Sequence, residues 1–132
     1  VLYRCELTVP AGTTEADPEE AELGVAYGTI TRVRILFPVG CSGKVRAVVL
    51  YQGRQVFPLS SDASFLGDGD PLEFVSDVEV EERPYTLVLQ GWAPDASYDH
   101  TVYFTFEMSL AVSGIPMPLG SLAVEVPVFE EV

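Results

Sequence analysis

Apolar and polar residues alternate along most of the chain with a period of two, the signature of strands buried on one face. Tyr3, Cys5, Leu7 and Val9 face one way against Arg4, Glu6 and Thr8, and Pro10 with Gly12 ends this first strand. In "TITRVRILFP", Val33, Ile35 and Phe37 oppose Arg32 and Arg34. In "KVRAVVLY", Val45, Ala47, Val49 and Tyr51 oppose Lys44, Arg46 and Val48. The turn "VGCSG" between these two segments reads as the loop of a hairpin, with its cations on a shared outer face. "LEFVSDVEVEE" buries Leu72, Phe74, Val78 and Val80 and turns Glu73, Asp77, Glu79 and Glu81 outward. "YTLVLQGW" is apolar at nearly every position, as a central strand covered on both faces would be.

After His100 the alternation is cleanest: Val102, Phe104, Phe106, Met108 and Leu110 inward, Thr101, Tyr103, Thr105, Glu107 and Ser109 outward. "APDASYD" then reads as a hairpin loop joining the last two of these strands. "SGIPMPLG" is a further turn, and Leu122, Val124, Val126 and Val128 predict a final edge strand, with Pro127 on its outer side. Between residues 10 and 22 the chain is acidic and rich in turn formers, so a loop is expected there, with a short edge strand around Leu23 to Tyr27. Seven or eight strands with no helical period predict an all-β fold. The expected architecture is a single antiparallel β-sandwich over residues 1–132, of jelly-roll or immunoglobulin-like connectivity.

Charge narrows the partners. Twenty acidic against seven basic residues give a formal net charge of −13, a field that repels phosphate and argues against nucleic acid. Apolar runs fall short of the roughly 20 residues needed to span a bilayer, and no basic-then-apolar signal segment opens the chain, so a soluble protein is expected. The charges are segregated as well. Arg32, Arg34, Lys44 and Arg46 form a cationic row, set against the acidic strand carrying Glu79 and Glu81 and the acidic segment Glu15 to Glu22. Such surfaces can pair between copies.

The candidate chemistry is sparse. Cys5 and Cys41 lack further Cys or His at metal spacing, which excludes a structural zinc site and leaves a disulfide or two buried thiols open. His100 with Asp95 or Asp99 and Ser97 has the residue types of a hydrolase. Residues this close on one loop cannot surround a substrate atom, however, and no Gly-x-Ser-x-Gly elbow is present, so no catalytic residue is assigned. His100 is expected to start a strand and cap the loop. Asp68, Asp70 and Glu73 offer three hard oxygens to a calcium ion, but without the ordered spacing of an EF-hand they are expected to be solvated turn residues, and no metal or cofactor is predicted. Trp92, Tyr98 and Tyr103 could stack on a sugar ring.

Two stretches, "GTITRVRILFPVGCSGKVRAVVLYQGRQVFP" and "RPYTLVLQGWAPDASYDHTVYFTFEM", resemble in style the short β-sandwich proteins that are structural components of phage and virus particles. The resemblance spans Gly28 to Met108 and brings no catalytic residues. It implies a non-enzymatic assembly module of the virion, capsid- or tail-associated and of decoration type, that self-associates into a homo-oligomer or binds a protein shell. The acidic charge implies an outward-facing position. The alternative expectation is a secreted or cell-surface carbohydrate-binding module.

Overall fold

The computed structural model describes residues 1–60 and 62–110. They form eight strands: β1 (Leu2–Val9), β2 (Glu19–Gly24), β3 (Gly28–Leu36), β4 (Arg46–Tyr51), β5 (Arg54–Phe57), β6 (Pro71–Val80), β7 (Thr86–Trp92) and β8 (His100–Leu110). The turn "SGIPMPLG" and the final strand expected around Leu122 to Val128 lie outside the described residues.

The strands pair antiparallel in two sheets of four, ordered β1-β8-β3-β6 and β2-β7-β4-β5. The pairs β1–β8, β2–β7, β3–β6 and β4–β5 are those of one long hairpin rolled into two layers. This is the jelly-roll order, not the immunoglobulin one. Only β4 and β5 are joined within a sheet, through the two-residue turn Gln52–Gly53, both at positive φ (55° and 74°), where glycine is at ease.

Every other connection crosses between the layers, and that corrects two expectations. β3 and β4 are not a hairpin, and neither are β7 and β8. Alternation tells which side of a strand is buried but not which sheet the next strand joins. The loops after β3 and β7 are long enough to bridge the roughly 10 Å between packed sheets. A third correction concerns residues 10–22 and the short edge strand expected around Leu23 to Tyr27: β2 begins at Glu19, inside the expected loop, and ends at Gly24. There Ala21 and Leu23 turn inward from a sheet edge while Glu20 and Glu22 stay in solvent.

The core forms between the layers. Val33, Ile35, Phe104 and Phe106 from one sheet, and Val49, Leu87 and Leu89 from the other, are buried in a single cluster. Aromatic contacts run through it: Phe104 stacks on Phe106 (centroids 6.3 Å), Phe106 meets Phe57 (6.5 Å), and Phe57 meets Phe74 (5.6 Å), linking β8 to β5 and β5 to β6. Gly91 lets β1 approach, since a Cβ there would lie 2.7 Å from Val9 Cγ2. The register of β3 shifts between Ile30 and Arg32, and Thr31 Oγ1 donates to the Glu107 carbonyl (3.0 Å). This bulge turns Ile30 into the core, where strict alternation would have set it beside the arginines. Leu110, expected inward, ends β8 and is 49% exposed.

Truncating Phe106 to Ala is expected to cost about 3–5 kcal/mol by leaving a cavity, whereas Tyr103→Ala, on the outer face of the same strand, costs much less. Chemical denaturation of both variants checks the strand phase, and the reverse order would contradict it.

Candidate functional surfaces

In the jelly-roll order β1, β3, β5 and β7 all run toward the same end, so the four longer loops gather there. They are tied to one another. The Asp68 carboxylate accepts from the Gly40 N–H (2.9 Å), Asp99 accepts from the Ala11 N–H (3.0 Å), and the Tyr98 hydroxyl donates to the Gly40 carbonyl (3.2 Å). Ala93 and the segment Gly12–Thr13 exchange two backbone hydrogen bonds of 3.0 and 2.9 Å.

Within this end His100, only 8% exposed, places Nδ1 3.6 Å from Cys41 Sγ, and the Tyr98 ring packs on the imidazole (centroids 4.4 Å). His100 therefore begins β8 as expected, with the Cys41 thiol as its neighbour. Burial pushes the Cys41 thiol above its ordinary pKa and the Asp68 carboxylate pushes it the same way, which disfavours the nucleophilic thiolate. Cys5 is also raised, chiefly by burial.

The disulfide left open by the sequence is not formed, because both cysteines are free. His100, beside Cys41, pairs with Val9, four residues along β1 from Cys5. Four residues of strand cover about 13 Å, far beyond the Cα separation a disulfide bridges.

The other sequence candidates are dispersed. Asp68 is engaged with Gly40, while the Glu73 carboxylate lies 3.2 Å from Arg32 on the outer face of β3 and β6, so these two do not converge with Asp70 on one ion. Among the described residues no group of three or more His, Cys, Asp or Glu is arranged to hold a metal. Tyr103 lies on the outer face of the β1-β8-β3-β6 sheet, Trp92 on that of the other sheet, and Tyr98 in the loop between β7 and β8, so the three do not form one stacking platform.

The cationic row is likewise divided, a direct result of β3 and β4 lying in different layers. Arg32 and Arg34 project from one outer face, whereas Lys44 and Arg46 belong to the other side of the sandwich. Arg32 makes both ion pairs found among the described residues, to Glu73 (3.2 Å) and Glu107 (3.6 Å). These pairs are half exposed and add little stability. Glu79 sits opposite Thr29, and Glu81 follows the end of β6.

In its place the fold makes a different group, which needs the β1–β8 pairing to be seen. Arg4 and Arg34 flank Thr105 from either side in register, beside a shallow depression of about 500 Å3 that also includes Tyr103 and Glu6.

On the opposite face lies a trough of about 540 Å3. Its floor includes Arg46, Val48, Gln90 and Trp92, and its walls come from Glu15, from Asp62 to Ser64, and from Pro94 and Asp95. One wall is fastened by Gln55, whose Nε2 lies 2.8, 2.8 and 2.9 Å from the carbonyls of Pro58, Ser60 and Ala63. The segment also pairs with β4 through Ala47 and Phe65, and Val48, although it points out of the sheet, is only 2% exposed. Nothing in the hydrophobic pattern marks Gln55, because its role depends on where the following loop folds.

No protein-family model and no curated protein matches the chain. Among the described residues no helix is long and apolar enough to cross a membrane.

Titration of the folded protein with a chromogenic disulfide at mildly alkaline pH is expected to detect Cys5 alone, with Cys41 reacting only in denaturant. The Cys5→Ser variant should then show no native reaction. A chain that yields no thiol in denaturant without reductant would contradict the free-thiol geometry.

Proposed function

We propose that the protein is a non-enzymatic assembly component of a virus or phage particle, a jelly roll that associates with copies of itself or with a protein shell and faces outward from the packaged genome. Fold alone assigns no role. What supports the reading is a group of three arginines on the outer face of the β1-β8-β3-β6 sheet of a strongly anionic chain: Arg4 projects from the edge strand β1 and Arg32 and Arg34 from the central strand β3, among Glu6, Glu73 and Glu107, while the chain carries a net charge of −13.

Further acidic groups project from the sheet edges. Asp77 and Glu79 project from the edge strand β6, and Glu20 and Glu22 from the edge strand β2. Charged residues on exposed edges discourage strand-to-strand aggregation. They also offer a second copy a complementary surface for Arg4 and Arg34. Arg32 is already engaged by Glu73 and Glu107, whereas Arg4 and Arg34, flanking Thr105, make no ion pair among the described residues. Charge matching of this kind fixes register and speeds encounter more than it adds affinity. The same net charge repels packaged nucleic acid and favours the particle exterior.

Reversing Arg4 and Arg34 together to Glu is expected to reduce self-association, or occupancy on particles, at low salt. Thermal unfolding should change little, because both side chains are exposed. Added salt should weaken the parent's association in the same sense, since the screening length is about 10 Å at 0.1 M. Sedimentation at several ionic strengths measures it. Equal association of the parent and the double variant at low salt would contradict the proposed contact.

A further inference from the structure

We propose that the trough on the outer face of β4 and β7 binds a neutral oligosaccharide, with the Trp92 indole stacking against a sugar ring. This site lies on the opposite sheet from Arg4 and Arg34 and does not rest on the assembly reading.

The volume, about 540 Å3, falls within the range of small-ligand sites. Its chemistry selects among ligands. Two cations, Lys44 and Arg46, stand against three carboxylates, Glu15, Asp62 and Asp95, so the lining has no excess positive charge to hold a phosphate or another anion. Val48 on the floor is nearly inaccessible, so an acyl chain would find little apolar surface. What remains is a half-buried aromatic ring amid donors and acceptors of both kinds.

A sugar ring matches that combination. Its C–H face covers an indole, while its hydroxyls, each both donor and acceptor, meet guanidinium and carboxylate groups around the rim. Arg46 gives one N–H to Ser64 Oγ (3.3 Å) and has four more.

The trough is also held in shape before any ligand arrives. The two N–H groups of Gln55 Nε2 are shared among the Pro58, Ser60 and Ala63 carbonyls behind one wall, Ala93, next to Trp92, is bonded twice to Gly12–Thr13, and Gln90 donates to the Glu20 carboxylate. Pre-set walls lower the ordering cost of binding a weakly held, well-hydrated ligand.

Trp92 is the only tryptophan of the chain, so its emission reports the trough directly. The full-length protein would be titrated with chitotetraose, cellotetraose and mannotetraose, following fluorescence and calorimetry. At least one of the three is expected to give a saturable change in the millimolar range. Arg46→Ala and Asp95→Ala should each weaken that binding about tenfold, and Tyr103→Ala, on the opposite face, should leave it unchanged. No saturable change with any of the three sugars would overturn the proposal, as would calorimetric binding that Trp92→Ala leaves intact. The Arg46 and Asp95 variants provide the same test if the Trp92 variant does not fold. Binding by a protein whose Arg4→Glu/Arg34→Glu form still assembles would uphold this site while refuting the assembly contact, so the two proposals fail separately.

Discussion

The structure depends on the burial of one row of side chains: Val102, Phe104, Phe106 and Met108 on the inner face of β8. A strand with one wholly apolar face is stable only if a second layer covers it. β8 is also the last of the eight described strands, and it pairs with both the first, β1, and the third, β3. The row can therefore be covered only when the chain has returned to its beginning, and the layer opposite must come from the strands between. This makes the core strongly non-local, with Phe106 reaching Phe57 in the other sheet and Phe57 reaching Phe74 back in the first.

From that closure follows where function can reside. Chain crossings place the longer loops at one end, where hydrogen bonds between Gly40, Asp68, Asp99, Ala11 and Tyr98 hold them together. The core takes the inner faces of both sheets, so the surfaces proposed for recognition lie on the outer faces. One carries Arg4 and Arg34 in register on either side of Thr105. The other carries a walled polar trough with an aromatic floor. Buried potentially reactive groups, Cys41 and His100, are enclosed by the loop end, and the upward shift of the thiol pKa suits a packing role.

How far the sequence carried depended on the range of each interaction. The inward and outward sides of β3, β4, β6 and β8 were legible because alternation is local and one face of each strand is dry. Ile30 departed from it because a bulge at Thr31 adds a residue to the period, a feature decided by the neighbours β6 and β8. Glu19 to Glu22 read as loop because acidic side chains mask an edge strand that buries only Ala21 and Leu23. Whether a loop returns within its sheet or crosses to the next is invisible to a pattern of period two, and that one ambiguity divided the cationic row between Arg34 and Lys44. It also hid the partnership of Arg4 with Arg34. Trp92 was visible as a stacking residue, but the Gln55-fastened wall beside it arises from tertiary folding alone.

The central claim is the rolled order of the strands, and interstrand nuclear Overhauser contacts in the labelled full-length protein test it most directly. The account predicts backbone contacts joining Cys5 to Phe104 and Ile35 to Phe104, with Leu89 paired to Val49 and Ala21. A ladder of backbone contacts joining β7 to β8, or β3 to β4, as adjacent hairpin strands would contradict it.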